Sequence, residues 1–443
     1  MTANKFHLGW FLNGMRAHAW QDTWAGTGGR GAMSPDFYID FVKQLERACL
    51  DYLILEDSSF VPDAWEGSHD FYVKSGYHVH KMDPAVVASM LTQVTSKLGI
   101  VVTLTVTEYP PYLLARYIST LDHVSQGRAG WNMVTGSSDR AQQNYGRDGQ
   151  PPHDVRYEMA TEFTELVWQL WESWEPGSVL VDQENGIFAD PSKVHNVNFE
   201  GKYYKSRGPI NTARAPQGKP VIVQAGGSPA GRAYAAQYAD SVIASAVSVE
   251  VMKEYRADVR AQALTFGRKP DDVKVLFNVS PILGDTMEDA QARKARSAAA
   301  SAANPMNRLA NMGFTNNIDF SQFDLDVPIG ELAAAGLMVT NGHQSSLDAI
   351  VKASSHLTLR EFGSSAGAGG PRIELLGTPD QVAAQMGEVM EEVGGDGFLF
   401  TLENTTRRAV AEITEGLVPA LQRRGLVRTG YSYDMFRDNL LEF

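Results

Sequence analysis

The sequence is poor in cysteine, in long apolar runs and in positive charge, and each shortage excludes a class of protein. Cys49 is the single cysteine in 443 residues, so the chain cannot form an internal disulfide. No stretch approaches the roughly 18 apolar residues of a membrane-spanning helix. The formal net charge of −13 argues against nucleic acid or an anionic membrane as the main partner. With no signal-peptide pattern in its first residues, the chain is expected to be cytoplasmic.

The motifs of common metal and nucleotide sites are also missing. None of the ten histidines forms the helical H-x-x-x-H spacing of a metal site. His78 and His80 lie two residues apart, with Asp83 as the nearest carboxylate. No Walker-type phosphate loop is present. The sequence therefore predicts no bound metal and no Walker-type nucleotide site.

Short β-rich runs alternate with helical patterns along nearly the whole chain. Strict alternation of this kind indicates parallel strands joined by crossover helices, and eight such units in a long chain favour a closed barrel. We therefore expect an α/β protein, a (β/α)8 TIM barrel with long loop insertions, as a single domain over residues 1–443. The predicted strands are Lys5–Leu12, Tyr52–Asp57, Leu98–Val106, Arg128–Thr135, Pro220–Gly226, Ser241–Ala246, Val273–Leu283 and Gly397–Leu402.

Two long stretches interrupt this alternation. Residues 171–219 are rich in loop formers, and residues 301–373 combine Gly, Asn and Ser with mixed helical patterns. Long segments of this kind in a compact domain are usually lids or binding elements. We expect the segment 301–373 to be a lid insertion, with residues 60–80 as a second candidate.

Two motifs suggest an anion site at the C-terminal ends of the strands, where barrels of this kind carry their active sites. Gly227 and Ser228 join a strand directly to a helix start, where free N–H groups can hold a phosphate. His153, Arg156 and Tyr157 share the first turn of another helix and suit a phosphate ester. The alternative for each motif is ordinary helix capping or core packing.

Aromatic residues are abundant after the first three strands. A flat apolar ligand could stack among such rings, although several of them could equally pack under long loops. The candidate substrate contacts are Phe11, Trp20, Phe60, Trp65 and Tyr109.

Four segments carry a resemblance to a known family. They are Gly127-Arg128-Ala129-Gly130-Trp131-Asn132-Met133-Val134-Thr135 followed by Asn144-Tyr145-Gly146, then His153-Asp154-x-Arg156-Tyr157, Phe188-Ala189-Asp190-Pro191-Ser192-Lys193-Val194-His195, and Gln224-Ala225-Gly226-x-Ser228-Pro229-x-Gly231-Arg232. In this order they resemble the bacterial luciferase-like flavin monooxygenases, in the branch of nitrilotriacetate, dibenzothiophene-sulfone and long-chain alkane monooxygenases.

The resemblance implies a cofactor, a partner and a set of contacts. The cofactor is reduced FMN, used with O2 and supplied by a separate NAD(P)H-dependent flavin reductase, and the chain is expected to form a homodimer or homotetramer. His18 and Asn132 are the candidate catalytic residues, and Arg156 and Gly227 assist phosphate binding. The implied flavin contacts are Asp57, Thr103, Asn132, His153, Tyr157 and Ser228.

The expected reaction is oxidation or cleavage of a small organic substrate, such as a nitrogen- or sulfur-containing heteroaromatic compound. Three alternatives remain: a flavin-degrading oxygenase acting on riboflavin, a deazaflavin-dependent oxidoreductase, and a non-catalytic flavin-binding protein. Ser137 and Ser138 stand in the region where alkane-oxidising relatives carry a histidine, and the second strand ends in Glu56-Asp57-Ser58-Ser59, where relatives usually have small or apolar neighbours. These departures leave the substrate and the catalytic acid or base open.

Overall fold

Eight parallel strands form a closed barrel, as the sequence predicts. The computed structural model describes residues 5–13, 34–365, 372–402 and 404–443. Sequential strands are neighbours all the way around, and the first strand pairs with both the second and the last. The barrel strands, called the first to the eighth below, are His7–Leu12, Tyr52–Leu55, Gly99–Thr105, Ala129–Val134, Val221–Gln224, Ser241–Ser245, Lys274–Val279 and Gly397–Phe400.

Apolar side chains fill the inside of the barrel in layers. Alternate residues of each strand point inward, and the resulting cluster includes Ile54, Val101, Val223 and Leu276. Phe436, on the short helix Phe436–Leu440, belongs to the same cluster and is fully buried. The helix therefore seals the N-terminal end of the barrel, so that the lumen opens at the other end.

Helices cover the outside of the barrel, and their ends carry the predicted signals. Thr378 and Gln381 form a capping box at the start of one helix, with Pro379 in its first turn. The helices that follow the strands are Pro35–Arg47, Pro84–Thr92, Pro111–Ser125, His153–Glu172, Pro229–Tyr238, Val249–Thr265, Met287–Ala303, Pro379–Val393, and Arg407–Ala411 continued by the π-helical turn Glu412–Leu417 and by Val418–Arg423.

One predicted strand is divided in the structure. The sequence predicts a single strand over Val273–Leu283, but the barrel strand ends at Val279. Pro281 has no N–H to donate to a strand ladder. After it, Ile282–Leu283 leaves the barrel and pairs with Leu376–Gly377 in a separate two-stranded sheet.

The segment predicted as a lid is helical and has its own hydrophobic core. Leu309, Phe320 and Phe362 pack there with Trp65 and Tyr72, and the Tyr72 hydroxyl donates to the Ala310 carbonyl at 2.8 Å. We call residues 305–365 the insertion and this cluster the insertion core. Its helices are Pro305–Asn316, Ile329–Ala334, Gln344–Ser354 and Leu359–Ser364, and the short helix Asp70–Ser75 packs against them.

The other interruption of the alternation forms two hairpins. Val179–Asp182 pairs with Ile187–Ala189, and Phe199–Glu200 pairs with Lys205–Ser206. The first hairpin exposes Leu180 and Phe188 to 51% and 63%. No helix in the described ranges is long and apolar enough to cross a membrane.

Candidate active site

Amide and hydroxyl side chains line the C-terminal mouth of the barrel. Asn132 and Thr103 are buried on neighbouring strands, and Asn132 Nδ2 donates to Thr103 Oγ1 at 2.8 Å. The Oδ1 atoms of Asn132 and Asn13 are also buried, and neither has a hydrogen-bond partner among the residues that the structure describes. A buried polar atom without a partner costs free energy unless a ligand or water supplies one. These two oxygens therefore mark the mouth as a place for a ligand.

Two helix N-termini carry the polar residues of the predicted anion site. Tyr157 and His153 lie in the first turns of the helix His153–Glu172, with their rings 5.1 Å apart. Ser228 is the N-cap of the helix Pro229–Tyr238 and accepts from the Gly231 N–H at 3.1 Å. Burial raises the pKa of Tyr157, while contacts with the side chains of Ser228 and Gln224 act in the opposite direction. The two predicted motifs thus come together at one position, with both helix dipoles favouring an anion.

Glycine allows these two helices to approach closely. A Cβ atom on Gly231 would lie 2.7 Å from the Tyr157 hydroxyl oxygen, and one on Gly226 would lie 2.6 Å from the Gly231 carbonyl carbon. Gly227 is exposed between them, so its backbone is accessible to a ligand. The spacing of glycines around Ser228 is therefore a packing requirement of this site.

Arg156 has partners other than a phosphate. Its side chain is buried, and it donates to the carbonyl oxygens of Gly136 and Asn341 and to Gln150 Oε1 at 2.6 Å. Gly136 follows the fourth strand, whereas Asn341 belongs to the insertion. The guanidinium therefore ties the insertion to the barrel mouth, a role that the sequence did not indicate.

A group of carboxylates follows the second strand. Asp57 is half-buried, and burial together with the nearby Glu56 carboxylate raises its pKa to about 7, against the opposing effect of Lys81. Lys81 Nζ lies 2.8 and 2.9 Å from the two Glu56 oxygens and also bonds Ser58. The ion pair compensates the negative charge of Glu56.

A second carboxylate lies beside this group. Burial raises the pKa of Glu108, and Ser59 donates to its Oε2 at 2.6 Å. Glu108 follows the third strand, so carboxylates from two neighbouring strand ends meet at this side of the mouth. Together with the amide oxygens they make the mouth rich in hydrogen-bond acceptors.

The predicted aromatic residues lie in two places: some pack against the core of the barrel, and others pack against the insertion. Phe11 packs against the core inside the barrel, and Tyr109 packs against the core outside it. Trp65 is buried in the insertion core, which corresponds to the packing alternative. Phe60 stacks on Phe314 of the insertion at 5.5 Å. His18 and Trp20 lie outside the described residues.

Sequence reasoning missed two residues at the mouth, Lys81 and Phe314. The Phe314 ring stacks on Phe60 and also on His78, whose ring centre lies 3.6 Å from that of Phe314. Lys81 Nζ lies 5.7 Å from the centre of the Phe314 ring. His78 also bonds Asn311 at 2.7 Å, so it takes part in insertion packing. In the described ranges no group of three or more His, Cys, Asp or Glu side chains is placed to hold a metal ion.

The described residues fit a phosphate-bearing cofactor with a polar ring system. The two helix N-termini with Ser228, Tyr157 and His153 match the needs of a phosphate. The unpartnered oxygen of Asn132 lies inside the mouth, where it can accept a hydrogen bond from a ring N–H. Fold and site together define a (β/α)8-barrel enzyme whose ligand site is at the C-terminal face.

Comparison with known proteins gives the family. The luciferase-like monooxygenase family matches residues 14–397, so the chain belongs to this family of flavin-dependent monooxygenases. It is 34% identical to the dibenzothiophene-sulfone monooxygenase of Rhodococcus erythropolis (strain XP) over 442 residues, covering 98% of this chain and 96% of that protein. It is also 34% identical to nitrilotriacetate monooxygenase component A of Aminobacter aminovorans over 413 residues, 91% of this chain and 89% of the relative.

Solved structures agree in fold over the full length. A riboflavin lyase with modified FMN and riboflavin superposes with a TM-score of 0.86 at 29% identity, covering 99% of this chain and 96% of that one. These relatives act on a sulfone, an aminocarboxylate and a flavin, so membership of the family does not by itself select a substrate.

Proposed function

We propose that this protein is a cytoplasmic two-component monooxygenase that binds reduced FMN at the barrel mouth and uses O2 to oxidise or cleave a nitrogen- or sulfur-containing heteroaromatic compound. The observation that carries the proposal is the meeting of Tyr157, His153 and the Ser228 helix cap at two helix N-termini. Reduced FMN, when bound, supplies the electrons that activate O2. Residues of this chain bind and orient the cofactor, hold or release a proton, and exclude water.

The proposed division of labour follows the position of each residue. Ser228, Tyr157 and His153 hold the phosphate, and the exposed Gly227 backbone assists them. Thr103 fixes the orientation of the Asn132 amide through their 2.8 Å hydrogen bond, so that Asn132 can contact the flavin ring. Asp57, with a pKa of about 7, can hold or release a proton near neutral pH.

Exclusion of water is the proposed role of the insertion. Reactive oxygen chemistry on a flavin is productive only where water is kept out. Arg156 ties Asn341 to Gly136, and Phe314 packs against Phe60 and His78. The insertion is thus held to the barrel by Arg156 and to the segment after the second strand by Phe314, both beside the mouth, as a lid requires.

Two partners belong to the proposal. The first is a separate NAD(P)H-dependent flavin reductase, because a relative of similar length is named as component A of its enzyme. The second is another copy of this chain, in a homodimer or homotetramer. The hairpin that exposes Leu180 and Phe188 offers an apolar surface for such contacts.

Anaerobic titration with reduced FMN tests the cofactor and its site. We expect binding of reduced FMN, weakened about tenfold or more by Ser228→Ala combined with Tyr157→Phe, since each removes one hydroxyl from the phosphate cluster. Thr265→Ala is the matched control, because it also removes a hydroxyl, but Thr265 lies at the exposed C-terminal end of the helix Val249–Thr265, away from the mouth. Equal affinity of the double variant and the wild type would refute this site.

A substrate screen then separates two candidates. The riboflavin lyase similarity makes riboflavin a specific alternative substrate. Oxygen consumption coupled to product formation would be measured with riboflavin and with a panel of sulfur and nitrogen heteroaromatics. Turnover of riboflavin alone would replace the first candidate with the second.

A further inference from the structure

A cavity of about 480 Å³ lies at the N-terminal end of the barrel, opposite the mouth. Pro220 and Asp240 precede the fifth and sixth strands, and Arg437 belongs to the helix that seals the barrel. Its volume is in the range of small-molecule sites. We call it the basal cavity. None of the residues assigned to the mouth lines it.

The basal cavity is more positive than the protein that contains it. Arg214, Lys219, Arg268 and Arg437 line it together with three carboxylates, so cations exceed anions there, whereas the whole chain has a formal net charge of −13. Burial lowers the pKa of Arg268, the nearby carboxylates of Asp240 and Asp272 oppose this shift, and Arg437 acts in the same direction as burial. The cavity lining therefore has one more cationic than anionic side chain, which favours a bound anion.

One of these cations is paired with a carboxylate of the protein. Arg437 bonds both oxygens of Asp240 at 2.5 and 3.0 Å and the Lys219 carbonyl at 2.9 Å. This pairing explains the position of Arg437, and it leaves the remaining cations of the cavity to be explained.

Arg214 and Arg268 keep donors available. Arg214 donates a single hydrogen bond, to the Trp174 carbonyl at 3.3 Å. Arg268 donates two, to the carbonyls of Ala236 at 3.1 Å and Asp272 at 3.0 Å. Since a guanidinium carries five N–H donors, each has at least three without a partner among the described residues. Neither arginine bonds a carboxylate there.

An aromatic wall completes the cavity. The rings of Trp168 and Tyr238 meet edge to face at 5.2 Å. Lys219 Nζ lies 4.4 Å from the Trp168 ring centre and 3.0 Å from a half-exposed Glu172 oxygen. Exposed pairs of this kind are worth little, so Lys219 can turn to a ligand at small cost.

We propose that the basal cavity binds a small organic or inorganic anion with two or more anionic oxygens, either a phosphate ester or a dicarboxylate. Arg214 and Arg268 donate to its oxygens, Lys219 adds charge, and Trp168 packs against its body. The proposal does not depend on the chemistry at the mouth.

Isothermal titration of the full-length protein at low ionic strength tests this, with inorganic pyrophosphate and succinate as separate probes. We expect at least one probe to bind, and Arg214→Gln and Arg268→Gln each to weaken it about tenfold or more. Arg423→Gln is the matched control, because Arg423 pairs with Asp380 on the exposed surface. The probe that binds distinguishes a phosphate ligand from a dicarboxylate.

A further variant distinguishes anion binding at the basal cavity from anion binding at the phosphate cluster of the mouth, which consists of Ser228, Tyr157 and His153. Ser228→Ala should leave binding at the basal cavity unchanged. Arg214→Gln should keep the wild-type thermal midpoint, because it removes only one long hydrogen bond. The proposal is overturned if neither probe binds at about 10 mM, if both arginine variants bind like the wild type, or if Ser228→Ala abolishes the signal.

Discussion

Asp57 is the residue whose surroundings most affect the chemistry of the mouth. Its neighbours Glu56 and Glu108 are also acidic, and Lys81 compensates only Glu56 by direct contact. Burial and these charges raise the pKa of Asp57 to about 7. A carboxyl of this kind changes its protonation near neutral pH, where most ordinary aspartates stay ionised.

Replacing Asp57 by Asn should therefore stabilise the protein in a pH-dependent way. Because the pKa is near 4 in the unfolded chain and about 7 in the folded one, the native carboxyl holds more protons between these values. The stability of the wild type thus falls as pH rises through this window. We expect Asp57→Asn to gain about 1–2 kcal/mol over wild type at pH 8, a modest value because solvent partly screens the half-buried carboxylate.

Urea unfolding at pH 5 and pH 8 measures this difference. The gain should shrink at pH 5, where the wild-type carboxyl is mostly protonated. Asp40→Asn is the control, because Asp40 is exposed and pairs with Arg407 on the surface. A difference between Asp57→Asn and wild type that does not grow with pH would contradict the raised pKa.

Single residues of the site were predictable where a local rule places them. Ser228 and Tyr157 follow from a strand–glycine–cap pattern and a helix start, and the structure brings the two together. Lys81 and Phe314 are more than 200 residues apart in the sequence, so only folding brings them into contact. No local spacing carries that information, and the same holds for the partners of Arg156.

At the scale of elements, hydrophobic periodicity and capping signals placed the barrel strands and most outer helices. The capping box of Thr378 and Gln381 is an example. The prediction of one strand over Val273–Leu283 was wrong, because Pro281 ends the ladder. The insertion was expected to have mixed helical patterns. Its helices are short, and their apolar faces point into the insertion core rather than onto the barrel.

The helix Pro305–Asn316 is the element on which the proposed lid depends. Phe314→Ala would remove its stacking on His78 at 3.6 Å and on Phe60 at 5.5 Å. We expect a loss of about 1–3 kcal/mol, less than for a fully buried ring. With the helix held less firmly, more of the O2 consumed in the presence of reduced FMN should appear as H2O2, which a peroxidase assay measures.

Phe323→Ala separates loss of stability from loss of closure. Phe323 packs on Phe320 within the insertion core, and among the described residues its ring stacks on no aromatic ring at the mouth. Phe323→Ala should lower stability about as much as Phe314→Ala, but it should raise the H2O2 yield less. Equal H2O2 yields in the two variants would remove the argument for a lid at Phe314.

At the scale of the whole molecule, the N-terminal end of the barrel is sealed by the helix Phe436–Leu440, which we call the plug. Phe436 lies against Gly99, the first residue of the third strand, and a Cβ atom there would come within 2.7 Å of the Phe436 ring. Eight strand units in the sequence predicted the closed barrel. The plug was not predicted, because a five-residue helix near the end of the chain has too short a pattern to show which surface it covers.

A double-mutant cycle tests the plug. We expect Phe436→Ala to cost about 3–5 kcal/mol by leaving a cavity, and Gly99→Ala about 1–3 kcal/mol by overpacking. In the Phe436→Ala background, Gly99→Ala should cost much less stability, because the Phe436 ring that the new Cβ atom would meet is absent. Urea unfolding measures all four proteins. Additive losses would show that the two sites do not meet as described.

The central claim is that the barrel mouth binds reduced FMN and controls its reaction with O2. The most direct measurement mixes the anaerobic protein–FMN complex with O2 in a stopped-flow instrument and follows flavin absorbance and H2O2 yield. The account predicts that bound flavin reoxidises more slowly than free flavin, and that Ser228→Ala with Tyr157→Phe restores the free rate at the same concentrations. Reoxidation at the free rate in the wild-type protein, or failure of reduced FMN to bind, would contradict it.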